Sequence, residues 1–142
     1  MPIQTGALPW RIGPGNRTEV LLVTGRNSGR WMIPKGWPMR GKTLAKAAAQ
    51  EAYEEAGVKG TISTKPLGSF RHVKQHLVFK PLEVSILVHS LSVKRELTQW
   101  PESSQRQRRW FTCDEAASCV DSSELGQLIL QLEDKVGRSK VK

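Results

Sequence analysis

The segment TLAKAAAQEAYEEAG, residues 43–57, constrains the fold more than any other stretch. Thr43 has the side chain of an N-cap, and the periodicity predicts a helix from Leu44 to Ala56. Gly57 suits the left-handed C′ position that ends a helix. Ala45, Ala49, Ala52 and Ala56 recur at helical spacing and form a narrow stripe. Side chains that small let a helix lie close against a sheet. An adjacent face carries Glu51, Glu54 and Glu55 within two turns. Carboxylates three and four apart repel, and the partial negative charge at a helix C-terminus opposes them again. A rigidly held cluster of this kind calls for a positive partner.

The surrounding charge sharpens the point. The chain has a net charge of +9, which favours polyanions such as nucleic acid, anionic lipid or a phosphate-rich small molecule. No acid lies between Glu19 and Glu51, where Arg26, Arg30, Lys35, Arg40, Lys42 and Lys46 fall. None lies between Glu55 and Glu83, where Lys59, Lys65, Arg71, Lys74 and Lys80 fall. The glutamates are an acidic island in a basic stretch. A hard divalent cation, which takes one or two carboxylates plus waters and substrate phosphates, would meet their charge. The competing reading is a solvated helix face, since glutamate is a good helix former.

The 142 residues suffice for one domain, 1–142, with 136–142 expected as a frayed basic tail. TEVLLVTGR reads as a strand, NSG as a turn and RWMIP as a second strand completing a hairpin. KGWPMRGK reads as a loop, TISTKPLGSF and LEVSILVHSLSV as further strands, and QRQRRWF as the entry to another. DEAASCV predicts a short helix, and SSELGQLILQLEDKV an amphipathic one with Leu125, Leu128, Ile129 and Leu132 on one stripe. Strands mixed with a few helices imply an α/β or α+β sandwich. No apolar run approaches a membrane span of about 18 residues. The N-terminus has no charged-then-apolar signal pattern, so a cytoplasmic location is expected. Cys113 and Cys119 read as free thiols.

GWPMRGKTLAKAAAQEAYEEAGV, residues 36–58, resembles the Nudix box, G-x5-E-x7-R-E-U-x-E-E-x-G-U. Gly36, Glu51, Ala52, Glu54, Glu55, Gly57 and Val58 fall in register; Lys42 and Gln50 replace the first glutamate and the arginine. GRWMIPKG, EEAGVKGT and WPESSQRQRRWFTCDEA resemble the diphosphoinositol polyphosphate phosphohydrolase branch. The resemblance implies an α/β/α sandwich with a mixed sheet. It also implies hydrolysis of a diphosphate linkage with Mg²⁺ or Mn²⁺. It makes Glu51 and Glu55 metal ligands, Glu54 a further ligand or the base, and places the carbonyl near Gly36 at the metal. The family arginine orients the first catalytic glutamate, so Gln50 would hold Glu51 less firmly.

On the phosphate side, Arg26 and Arg106 match substrate-binding positions of that branch. Arg30, Lys35 and Arg40 lie on the approach to the box, and Arg71, His72 and Lys74 on a segment bordering the same cleft. Glu102 reads either as a surface turn residue or as the late-loop glutamate that family members supply. Trp31 and Trp110 read as core, with ring stacking the alternative for them and for Trp37. His72, His76 and His89 lack metal-ligand spacing. The expected partner is a small-molecule polyphosphate, with RNA possible and neither membrane nor obligate protein partner evident. The functions in competition are hydrolysis of a diphosphoinositol or dinucleoside polyphosphate, removal of pyrophosphate from RNA 5′ ends, and binding without turnover.

Overall fold

The computed structural model describes every residue except His76, Leu77, Phe79 and Lys142, and the side chains of all but these and residues 138–141. The expectation for His76 and the side-chain chemistry of the expected tail lie outside the described residues. Eight strands form one mixed sheet: β1 (Ile3–Ile12), β2 (Thr18–Thr24), β3 (Trp31–Met32), β4 (Lys35–Gly36), β5 (Val58–Ile62), β6 (Gly68–Lys74), β7 (Leu82–Glu96) and β8 (Arg108–Thr112). The helices are α1 (Leu44–Glu51), α2 (Cys113–Cys119) and α3 (Ser123–Val141).

The sheet is mixed because β1 runs parallel to β7, from Ile3↔Ser85 to Trp10↔Ser92, whereas its other pairings are antiparallel. β2 is apolar on both faces because helices cover both, whereas β7 gives Val84, Ile86 and Val88 to one face and Leu91 and Val93 to the other. Leu8, Val20, Leu22, Val84, Ile86 and Val88 pack with Leu125, Ile129 and Leu132 of α3. Ala7, Leu21, Val23 and Leu91 pack with Ala48, Ala52 and Ala56 on the opposite face. The result is the expected α/β/α sandwich, with α1 on one face and α2 and α3 on the other.

Several expectations need correction. Residues 3–12, read from sequence only for the lack of a signal pattern, form the central strand β1. Pro9 is tolerated there because the Ala7 N–H, two residues back, points away from β7 to Pro34 O. Pro9 N therefore faces the gap between the short pairings with β4 and β2, where no ladder bond is required. TISTKPLGSF is not one strand: β5 and β6 flank a loop at Ser63–Leu67 and pair with successive halves of β7. Part of the expected loop, Lys35–Gly36, bridges to Thr5 and Gly6 of β1. The alanine stripe is Ala45, Ala48, Ala52 and Ala56, all buried, with Ala49 only half-buried. α3 runs from Ser123 to Val141.

Candidate active site

Thr43 caps α1 as expected, its side chain accepting the Lys46 N–H at 3.1 Å. Beyond Glu51 the helix does not continue regularly. Residues Ala52–Ala56 form a π-type turn, which ends at Gly57 with φ +66°. Such turns occur often at functional sites. Here it carries Glu54 and Glu55.

Two carboxylates converge on the Lys35–Gly36 bridge. Glu55, 5% exposed, accepts the Lys35 N–H at 3.4 Å. The Glu51 carboxylate lies where a side chain on residue 36 would begin: a Cβ there would sit 2.5 Å from its carboxyl carbon. Gly36 is thus required for close approach rather than for backbone freedom. Gly36→Ala is expected to displace the Glu51 carboxylate and weaken Mn²⁺ binding about tenfold or more, read by titration of the metal.

The pair is short of positive charge. Burial, then a hydrogen bond shared with Glu51, pushes Glu55 up to about 9 against the opposing charge of Arg106. Burial also raises Glu51. Neighbouring carboxylates whose charged forms are disfavoured by burial and by each other are a chemical fit for a hard dication. Among the described residues no three His, Cys, Asp or Glu side chains form a ready-made cage. A pair suffices where substrate phosphates and water complete the shell.

Glu54, close enough for its charge to raise Glu51, has a donor of its own. Gln50 Nε2 donates to Glu54 Oε2 at 2.7 Å, so Gln50 steadies Glu54 rather than Glu51, as its sequence position had suggested. Glu102, expected as either a surface residue or a site residue, joins the acid group. Its N–H donates to Glu54 O at 3.0 Å and its carboxylate pairs with Arg106 at 2.9 Å. Arg106 reaches Glu55 at 3.8 Å and donates to Thr24 O at 3.0 Å. Its guanidinium is engaged by acids and a carbonyl, and its side chain is 9% exposed, where an arginine turned to substrate phosphate was expected.

The helix-end carbonyls have their own donors, which sequence reasoning missed. Trp100 Nε1 donates to Glu55 O at 3.0 Å, and Arg108 Nη1 to Ala56 O at 2.9 Å. The Arg108 guanidinium stacks 4.0 Å over the Trp100 ring. Part of the electrostatic problem posed by acids at a helix end is therefore solved by the protein itself. The only sequence signal was an arginine and a tryptophan flanking the 101–107 loop.

A cavity of about 330 Å³ is lined by Arg30, Lys35, His72 and Lys74 with Trp31, Phe70 and Asp121, and Lys35 connects it to Glu55. Burial, reinforced by Lys74, pulls Lys35 down to about 8. Burial and the two lysines pull His72 down to about 4, so it is neutral at pH 7. Arg30 pairs with Asp121 at 3.0 Å on the rim. A shallower cleft runs between residues 24–29 and 103–107 and includes Arg26. Arg40 is exposed and lines neither cleft, and exposed Arg71 pairs with Glu83 at 3.6 Å. Trp31 and Trp110 are half-buried and pack against the two cores, Trp31 edge-on against Phe111 at 5.1 Å. Exposed Trp37 has Lys74 Nζ 5.7 Å from its ring centroid.

Comparison with known proteins agrees with this arrangement. The sequence model of the NUDIX domain matches residues 9–129. Nudix hydrolase 12, mitochondrial, of Arabidopsis thaliana is 39% identical over 104 residues, covering 71% of this chain and 51% of that protein. Diphosphoinositol polyphosphate phosphohydrolase 2 of Rattus norvegicus is 35% identical over 102 residues, 69% of this chain and 52% of its own. The chain thus spans about half the length of these curated relatives. The fold matches a crystal structure of a C. elegans Ap4A hydrolase binary complex with a TM-score of 0.71 at 22% identity, covering 96% of this chain and 98% of that one. No helix among the described residues is long and apolar enough to cross a membrane. Box, fold and family match agree: the chain belongs to the Nudix family.

Proposed function

We propose that this domain hydrolyses a phosphoanhydride linkage in a highly anionic substrate, of the class of diphosphoinositol or dinucleoside polyphosphates. The observation that carries the reading is buried Glu55 with half-buried Glu51 beside it, joined through Lys35 to a cavity that His72 and Lys74 also line. A general base alone would not need two acids held together, and a phosphate-binding pocket alone would not need acids at all.

Glu51 and Glu55 would hold the cation, Mg²⁺ or Mn²⁺. That ion, when bound, neutralises charge on the diphosphate oxygens and makes a water molecule more acidic. Lys35 lies between the acids and the cavity and presents its charge to the phosphates as a point donor. Neutral His72 offers a ring N–H without adding to the repulsion among the cations around it. Lys74 extends the positive wall outward. Glu54, held by Gln50, takes the proton as the water oxygen attacks phosphorus. The P–O bond of the anhydride breaks and the leaving phosphate keeps the bonding electron pair.

A turnover panel tests this. The substrates are a diphosphoinositol polyphosphate, a dinucleoside polyphosphate, a nucleoside diphosphate sugar and a 5′-triphosphorylated RNA, each with Mg²⁺ and with Mn²⁺. The expected result is product from one or both of the first two at rates well above the others. Tight binding with no product from any of the four would mean a binding domain, and preferred turnover of the RNA would move the assignment to RNA 5′ ends.

A further inference from the structure

The Nudix pattern places an arginine beside the acids of the box, and this chain has Gln50 there. The amide it supplies goes to Glu54, leaving Glu51 and Glu55 with no cation from their own helix. Arg106 comes to them instead from the loop between β7 and β8, more than 50 residues later in the chain. Its guanidinium makes two hydrogen bonds, Nε to Glu102 at 2.9 Å and Nη1 to Thr24 O at 3.0 Å, and one longer ion pair, Nη2 to Glu55 at 3.8 Å. The first two fix the plane of the fork, and the third aims it at an acid that is itself buried. Thr24 ends β2, so the contacts tie the acid-bearing turn to the sheet through one side chain.

We propose that Arg106 is a positioning residue that takes over from the missing box arginine, orienting Glu55 for its cation through a fork anchored on Glu102 and the end of β2. The inference rests on the reading of Glu51 and Glu55 as cation ligands. It sets Arg106 apart from the cavity lysines, because its donors face the acids and a backbone carbonyl.

The test measures Mn²⁺ affinity of the substrate-free protein by electron paramagnetic resonance, together with kcat and KM, in wild type, Arg106→Gln and Arg106→Lys. Arg106→Gln is expected to weaken Mn²⁺ binding by about 10–100-fold and to lower kcat by a similar factor. KM is expected to stay within about threefold. Arg106→Lys keeps the charge but not the fork, and should still lose about tenfold in Mn²⁺ affinity. Thermal melting establishes that each variant folds; if Arg106→Gln does not, Arg106→Lys decides by the same readings. Unchanged Mn²⁺ affinity in the folded variants overturns the proposal. So does a raised KM with kcat preserved, the signature of an arginine gripping substrate phosphate. Wild-type protein that binds Mn²⁺ but turns over no substrate would sink the hydrolase reading and leave Arg106 testable by affinity. Hydrolysis with Mn²⁺ affinity indifferent to Arg106 would sink this inference alone.

Discussion

Glu55→Gln is expected to reduce kcat by about three orders of magnitude while leaving the fold intact, because a metal ligand contributes several kcal/mol of charge stabilisation to the transition state. Glutamine has nearly the same shape, and its carbonyl oxygen can still accept the Lys35 N–H. What it lacks is the second oxygen and the charge. Glu55 is the right residue to choose because it is the most buried of the acids and faces both Glu51 and Arg106. A solvated acid would be replaceable, as the plain reading of EAYEEAG as a surface face requires. Measured with Mg²⁺ at saturating substrate, alongside a thermal melt, a kcat within about threefold of wild type would return the cluster to that plain reading.

The contrast between Glu55 and Glu54 shows how far the sequence could be read. Thr43, Gly57 and the acidic island were legible because each depends on local rules: a cap, a left-handed residue, a spacing of three and four. The strands β2 and β7 were legible because their core residues leave short apolar runs, VLLV in one and ILV in the other. β1 was not, because Pro2, Gly6 and Pro9 obscure its pattern, and its place is earned by pairing with β7 about 80 residues away. The split between β5 and β6 likewise depends on sharing β7 as a partner. The site divides along the same line. The acids on one helix were found from spacing, whereas their second layer (Trp100, Glu102, Arg106 and Arg108) arrives from a distant loop and strand. Arg106 was noticed as a cation, but which charge it would face is a tertiary fact. The π-type turn that carries Glu54 and Glu55 has no sequence marker of its own, since Ala52–Ala56 reads as ordinary helix.

In the absence of metal the protein is expected to lose stability as pH rises from about 6.5 to 8, and divalent cation is expected to remove that loss. The sign follows from Glu55. Its folded carboxyl is pushed up to about 9 from an ordinary 4.5, so the folded state holds a proton that the unfolded chain has already released. The associated stability is full below the unfolded value and disappears as pH climbs through the folded one. Glu51 shifts in the same direction. Two other groups act oppositely and oppose it most at the two edges of this window. His72, pulled from 6.5 to about 4, contributes stability that is lost as pH falls below 6.5. Lys35, pulled from 10.5 to about 8, contributes stability that is lost as pH falls between those values. Between 6.5 and 8 the carboxyl pair therefore dominates among the shifted site groups. One extra proton on the folded state would give a slope of about 1.4 kcal/mol per pH unit; the opposing groups cut it to about half at the edges, so the window spans about 1 kcal/mol, or roughly 3–5 °C in melting temperature. A dication bound at the pair replaces the proton, so its apparent affinity rises with pH and its stabilisation is larger at pH 8 than at 6.5. Melting curves with and without millimolar Mg²⁺ across the window measure both effects, and Glu55→Gln should flatten the metal-free slope and cancel the Mg²⁺ increment together. A metal-free melting temperature that is level or rising over this range, or an Mg²⁺ increment equal at its two ends, would show that Glu51 and Glu55 do not share a proton that a cation can displace.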